Sequence, residues 1–141
     1  MPRKPETVFK EGVHKHLSKE VYKVGMANPY AGGIPDDYYD GPRSDLWIEY
    51  KFIEKLPAKG LHLLDPKTKP CVSQLQYDWL ARRYNNGGNA VVILGWGPPR
   101  KKVGAIIGIA ELNNWHSKEW YNSEARTQEE LAEWIYLFTR K

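Results

Sequence analysis

Between Asp45 and Phe52 apolar and polar side chains alternate, the pattern of a half-buried strand, and a strand is expected over 45–53. Leu46, Ile48, Tyr50 and Phe52 share one face, which forces Glu49 and Lys51 onto the other. Upstream, Phe9, Val13 and Leu17 recur at helical spacing and Pro5 suits a first turn, so a helix is expected over about 6–19. A short β-prone stretch follows at 21–24. Asn28-Pro29-Tyr30-Ala31-Gly32-Gly33 reads as a loop on its Gly and Pro content. A further strand is expected over 36–39, folded alongside the 45–53 strand by the Asp40-Gly41-Pro42-Arg43 turn.

The stretch 54–70 is polar and broken by Pro57, Gly60 and Pro66, which predicts a mobile loop of the kind that often binds ligands. Ser73 opens a helix to about 84, with Leu75, Trp79 and Leu80 on its buried side and Gly87-Gly88 beyond its end. The continuous apolar run 90–94 fits a central buried strand, and 103–109 a further strand after the Gly97-Pro98-Pro99 turn. Residues 115–126 are aromatic and polar without a period that places them. Thr127 and Glu130 form a capping-box pattern, and Leu131, Trp134, Ile135 and Phe138 give the last helix its apolar stripe. The order α-β-β-β-α-β-β-α implies an α/β (α+β) mixed sheet with helices packed on its faces.

Composition narrows the class. The 141 residues suit one domain, 1–141, with a core over 6–110 and an aromatic segment and helix over 111–141. No apolar run approaches the ~20 residues that span a bilayer, and the basic N-terminus lacks the apolar stretch of a signal peptide. Cys71 is the sole cysteine, which excludes an intrachain disulfide and suits a cytoplasmic setting. The formal net charge of +4 favours a polyanionic partner. Two basic clusters, Lys55, Lys59, Lys67 and Lys69, then Arg100, Lys101 and Lys102, are candidate DNA contacts, although each alone also reads as a solvated loop.

Candidate chemistry converges on the 45–53 strand. Next-but-one strand residues lie about 6.5–7 Å apart, so the Glu49 carboxylate and Lys51 ammonium are set to flank one phosphate and its metal. Asp36 arrives from the neighbouring strand or turn. Mg²⁺ prefers a few carboxylates with water and phosphate oxygens, which makes Asp36 and Glu49 candidate ligands, with the Tyr50 carbonyl available as a third oxygen. Lys51 would orient the attacking hydroxide and the phosphate. The plain alternative is a surface Glu49–Lys51 ion pair, worth under about 1 kcal/mol.

Other candidates are weaker. Asp45 competes with Asp36 on the face of Glu49, two pleats away and with Trp47 between. His14 and His16, two apart on a helix, point away from each other. His62 and His116 lack ligand-spaced partners, which argues against zinc. Cys71 lies in no nucleophile motif and fits packing. Trp115, Trp120 and Tyr121 fit core or interface packing better than base stacking.

With these residues in view, the chain resembles the PD-(D/E)XK nuclease superfamily, in particular the small stand-alone, virus-type VRR-NUC nucleases. Four elements carry the likeness in order: Glu6 in Pro5-Glu6-Thr7-Val8-Phe9, then Gly33-Ile34-Pro35-Asp36, Glu49-Tyr50-Lys51 and Ser73-Gln74-Leu75-Gln76. The likeness spans roughly 6–96 and leaves the remainder unmatched. It implies a restriction-endonuclease-like fold, with Asp36, Glu49 and Lys51 as catalytic core, Glu6 as an additional acid and metal ligand, and Gln76 as a supporting site residue. Glu11 rivals Glu6 on the same helix, and Gln76 also satisfies a capping box with Ser73.

The resemblance further implies a Mg²⁺-dependent deoxyribonuclease, with Mn²⁺ substituting, that hydrolyses DNA by direct water attack. Structure-selective endonuclease work on branched DNA, such as Holliday junctions in phage replication or recombination, is the expected form. Paired cuts at a junction would call for a homodimer. A viral protein of this kind would act in the host cytoplasm. The alternative is a non-catalytic nucleic-acid-binding protein on the same scaffold, against which the intact acids argue.

Overall fold

The computed structural model describes residues 3–26 and 33–140. Most of the loop expected at 28–33 therefore lies outside the described residues. The chain runs α1 (Pro5–His14), β1 (Tyr22–Gly25), β2 (Asp37–Asp40), β3 (Asp45–Ile53), α2 (Gln74–Asn85), β4 (Ala90–Trp96) and β5 (Val103–Ile107). It continues through α3 (Ile109–Leu112), α4 (Lys118–Ser123), β6 (Arg126–Thr127) and α5 (Gln128–Arg140). The six strands form one mixed sheet in sequential order. β3 and β4 pair in parallel, with Glu49 opposite Val92 and Lys51 opposite Leu94, and every other pairing is antiparallel.

The parallel pair decides what covers the site. Parallel neighbours need a long crossover, here the segment from Glu54 through α2, and that crossover packs against the sheet. α1 and α5 cover one face, over Phe9, Val13, Leu46, Ile48, Tyr50, Leu131 and Ile135. The crossover, α3 and α4 cover the opposite face, over Leu80, Val92, Leu94, Leu112 and Tyr121. The face that bears Glu49 and Lys51 is therefore enclosed rather than open to water. Glu49 itself is only 3% exposed.

Several expectations shift for physical reasons. α1 ends at His14 rather than near 19, and Leu17 packs onto the core from the turn that follows. β2 starts at Asp37 rather than Asp36, whose side chain instead takes the Tyr50 N–H. β5 stops at Ile107, since Gly108 caps α3. The stretch 54–70 has no helix or strand, yet it is not the open polar loop expected. Leu56, Leu61 and Leu63 are buried, and Leu61 bridges to His116. On α2, Leu80 is buried, whereas Leu75 is 63% exposed rather than in the core. The unplaced 115–126 segment supplies α4, whose Tyr121 is buried and whose Trp120 stacks on His116 at 3.8 Å. Thr127 caps α5 as expected: its hydroxyl accepts from Glu130 N–H at 3.0 Å, and its N–H donates to Glu130 at 2.8 Å.

Candidate metal and phosphate site

Three elements meet around the carboxylate of Glu49. β3 carries Glu49 and Lys51 next but one, so both side chains leave the same face. Lys51 Nζ lies 3.4 Å from Glu49 Oε2. Gln76, in the first turn of α2, donates through Nε2 to the same oxygen at 3.1 Å. Its Oε1 meanwhile accepts from Ser73 N–H at 2.9 Å, and Ser73 Oγ accepts from Gln76 N–H at 3.2 Å. The capping box and the contact to Glu49 are therefore one arrangement, and the two readings of Gln76 are compatible.

Asp36 enters from the end of β2. Its Oδ2 accepts the Tyr50 N–H at 2.9 Å, which fixes the carboxylate beside β3, within hydrogen-bonding reach of Glu49. Gly33 makes that approach possible. It sits at φ +85°, and a Cβ there would lie 2.4 Å from the Leu75 carbonyl oxygen. Only glycine lets the 33–36 segment lie against the opening of α2 in this conformation.

Electrostatics mark Glu49 as the unusual group. Burial first, and the Asp36 charge second, push its carboxyl up to about 8 from the ordinary 4.5, with Lys51 pulling the other way. Its Oε1 is buried without a hydrogen-bond partner. A buried carboxylate oxygen facing a second carboxylate is unfavourable unless a proton or a cation lies there. These residues fit a hard divalent cation: two carboxylates, with the Tyr50 carbonyl next in line on β3. Among the described residues no three His, Cys, Asp or Glu side chains gather at one point. A cation here would thus complete its shell from water and phosphate, as Mg²⁺ commonly does.

The remaining candidates separate clearly. Glu6 lines a small cavity of about 120 Å³ together with Asp36, Tyr50 and Lys10, while Glu11 pairs with Arg3 on the exposed side of α1. Asp45 pairs with Arg83 at 2.7 Å, away from Asp36. His14 donates to or accepts from Tyr39 Oη at 2.6 Å, and Tyr39 in turn meets Tyr50 Oη at 2.7 Å. His116 Nε2 meets the Glu111 carbonyl at 2.8 Å. Cys71 is half-buried. Lys55, Lys59, Lys67, Lys69, Arg100 and Lys101 are exposed, and Lys102 is half-buried with its ammonium 5.3 Å from the Phe52 ring centre.

Sequence reasoning missed Lys10. Its ammonium pairs with the buried Asp37 at 2.9 Å and lines the cavity shared by Glu6 and Asp36. Its signal was available: Lys10 lies four residues after Glu6, hence on the same side of α1.

No protein-family model and no curated protein matches the chain. Among solved structures it is similar to Hjc from the archaeal hyperthermophile Archaeoglobus fulgidus, a Holliday junction resolvase, at TM-score 0.57 and 19% identity. The superposition covers 92% of this chain and 97% of that one. A likeness at this identity speaks for the fold: a restriction-endonuclease-like mixed sheet flanked by helices.

Proposed function

We propose that this protein is a divalent-metal-dependent deoxyribonuclease, a structure-selective endonuclease that cuts branched DNA of the Holliday-junction type. The observation that carries the reading is the convergence of Asp36, Lys51 and Gln76 on one buried, half-satisfied carboxylate, Glu49. A structural ion pair would have no use for a second acid and an orphaned oxygen, both of which cost stability. That the fold is shared with a protein described as a Holliday junction resolvase supports the branched substrate.

Asp36 and Glu49, with the Tyr50 carbonyl, would hold the cation, with Mg²⁺ preferred and Mn²⁺ substituting. Bound there, the cation supplies positive charge to the phosphate and makes water more acidic. The chain's own residues do the rest. Tyr50 N–H holds Asp36 in one orientation, and Gln76 holds Glu49 in another, so both acids are set before substrate arrives. Lys51 is placed to bind the scissile phosphate and steady the attacking oxygen. Glu6, in the adjoining cavity, is the additional acid. Water attacks phosphorus directly, and no carboxylate forms a covalent intermediate.

Under this reading the chain is one nuclease domain that works as a homodimer in phage replication or recombination, within the host cytoplasm. The fitting test is a four-way junction with labelled strands, compared with linear, nicked and single-stranded DNA in Mg²⁺. Paired, symmetric nicks near the branch point support the proposal. Preference for ends or for plain single strands rejects the branched substrate, and binding without any cutting favours a non-catalytic DNA-binding protein.

A further inference from the structure

A groove of about 730 Å³ lies at the C-terminal ends of β3 and β4, beyond the candidate site. Its lining includes the apolar side chains of Phe52, Trp96, Pro98 and Pro99. With them stand Lys55, Lys102 and Lys118, against a single acid, Glu54. The Lys102 ammonium rests over the Phe52 ring at 5.3 Å. The groove and the candidate site are linked along the chain at two points. Phe52 follows Lys51 directly on β3, and Pro5 of the groove precedes Glu6, which lines the cavity with Asp36. Two residues along a strand span about 6.5–7 Å, so Tyr50 and Phe52 are separated by a short step.

We propose that this groove takes an unpaired nucleotide of the DNA strand flanking the cut, its base against the apolar side chains and its phosphates on the three lysines. The inference rests on the nuclease reading and extends it to what selects the substrate. Aromatic and proline side chains with cations around them match a base with its anionic backbone, the pairing used by proteins that bind single strands. Three ammonium groups against one carboxylate disfavour a cationic occupant and leave an uncharged apolar ligand without use for the lysines. A base locked in duplex keeps its faces stacked on its neighbours and offers none to the groove. Flaps supply free ones, and a four-way junction does so where a pair opens at the branch point. The arrangement also gives α4, through Lys118, a part in binding.

The test measures binding in chelator, where no cutting intervenes. The probes are a short single-stranded oligonucleotide, the same strand with one abasic position, and a fully paired duplex. The wild-type protein is expected to favour the intact single strand over the abasic strand by on the order of tenfold. The triple variant Lys55→Ala, Lys102→Ala, Lys118→Ala, with circular dichroism as the check on folding, should bind the intact and the abasic strand about equally more weakly, since both carry the phosphates. Its salt dependence on single strands should weaken by about 0.7 per lost phosphate contact. Equal affinity of the wild-type protein for intact and abasic strands, or a triple variant that binds single strands as tightly as wild type, overturns the inference. Wild-type preference for the intact strand with no metal-dependent cutting in a parallel assay would instead leave the groove standing and remove the nuclease.

Discussion

Gln76 Nε2 donates to Glu49 Oε2 at 3.1 Å while the other end of the same amide closes the cap of α2. A helix terminus and a candidate catalytic acid therefore share one side chain. Ser73→Ala removes only the cap and should cost about 1 kcal/mol of stability while most cutting survives. Gln76→Ala removes both contacts, and should add to a similar stability loss a tenfold or greater fall in kcat. Urea denaturation alongside single-turnover cutting separates the two. Equal activity losses in both variants would reduce Gln76 to a cap.

Gly33 bears on the same geometry from the other side. Gly33→Ala sets a Cβ against the Leu75 carbonyl and strains a φ of +85°. A destabilisation of about 2 kcal/mol or more is expected, together with loss of metal-dependent activity as Asp36 is displaced. Thermal unfolding and cutting measured on one preparation check it; wild-type values for both would show that the 33–36 segment can move away freely.

Glu49 carries a pH signature. Its carboxyl is raised to about 8 from 4.5, so in the metal-free protein the protonated form is favoured by folding. The associated stability is complete below about pH 4.5 and is lost as pH rises towards and through 8. Glu49→Gln, which mimics the protonated form, should therefore be the more stable protein at pH 8 in chelator, by roughly 1–3 kcal/mol. The advantage should shrink towards zero near pH 4.5. Denaturant midpoints at pH 4.5, 6 and 8 provide the measurement, and a variant that is less stable than wild type at pH 8 would contradict the electrostatic picture.

His14 behaves in the opposite sense. Burial first, then Lys23 and Lys10, lower it to about 4 from 6.5. Its neutral form belongs to the buried chain through Tyr39 to Tyr50. The stability it lends is full above about pH 6.5 and disappears as pH falls through 4. His14→Gln should flatten the fall in stability between pH 6.5 and 4, by on the order of 1–3 kcal/mol at the acid end. An unchanged slope in that window would place the acid sensitivity elsewhere.

Much of this geometry was legible because the residues that build it are local. Alternation over 45–53 located β3 to the residue, and with it the shared face of Glu49 and Lys51. Ser73 and Gln76 announced the start of α2 three residues apart. What the alternation could not convey was the covering of that face. Burial of Glu49 depends on β4 pairing in parallel, a long-range choice written in no single segment, and on Leu56, Leu61 and Leu63 packing from a stretch that reads as polar. Lys10 escaped for a similar reason. Its partner Asp37 is 27 residues away in sequence and meets it only through tertiary packing. α4 has too few turns to show a period, so the helix itself emerged only in three dimensions, although Tyr121 already read as a packing residue.

The most direct test compares cutting of a four-way junction by wild type, Asp36→Asn, Glu49→Gln and Lys51→Ala, each in Mg²⁺ and in chelator. The account predicts that wild type cuts only with the divalent ion and that each variant falls by a hundredfold or more, with junction binding retained. Cutting by wild type in chelator, or near wild-type rates from any of the three variants, would contradict it.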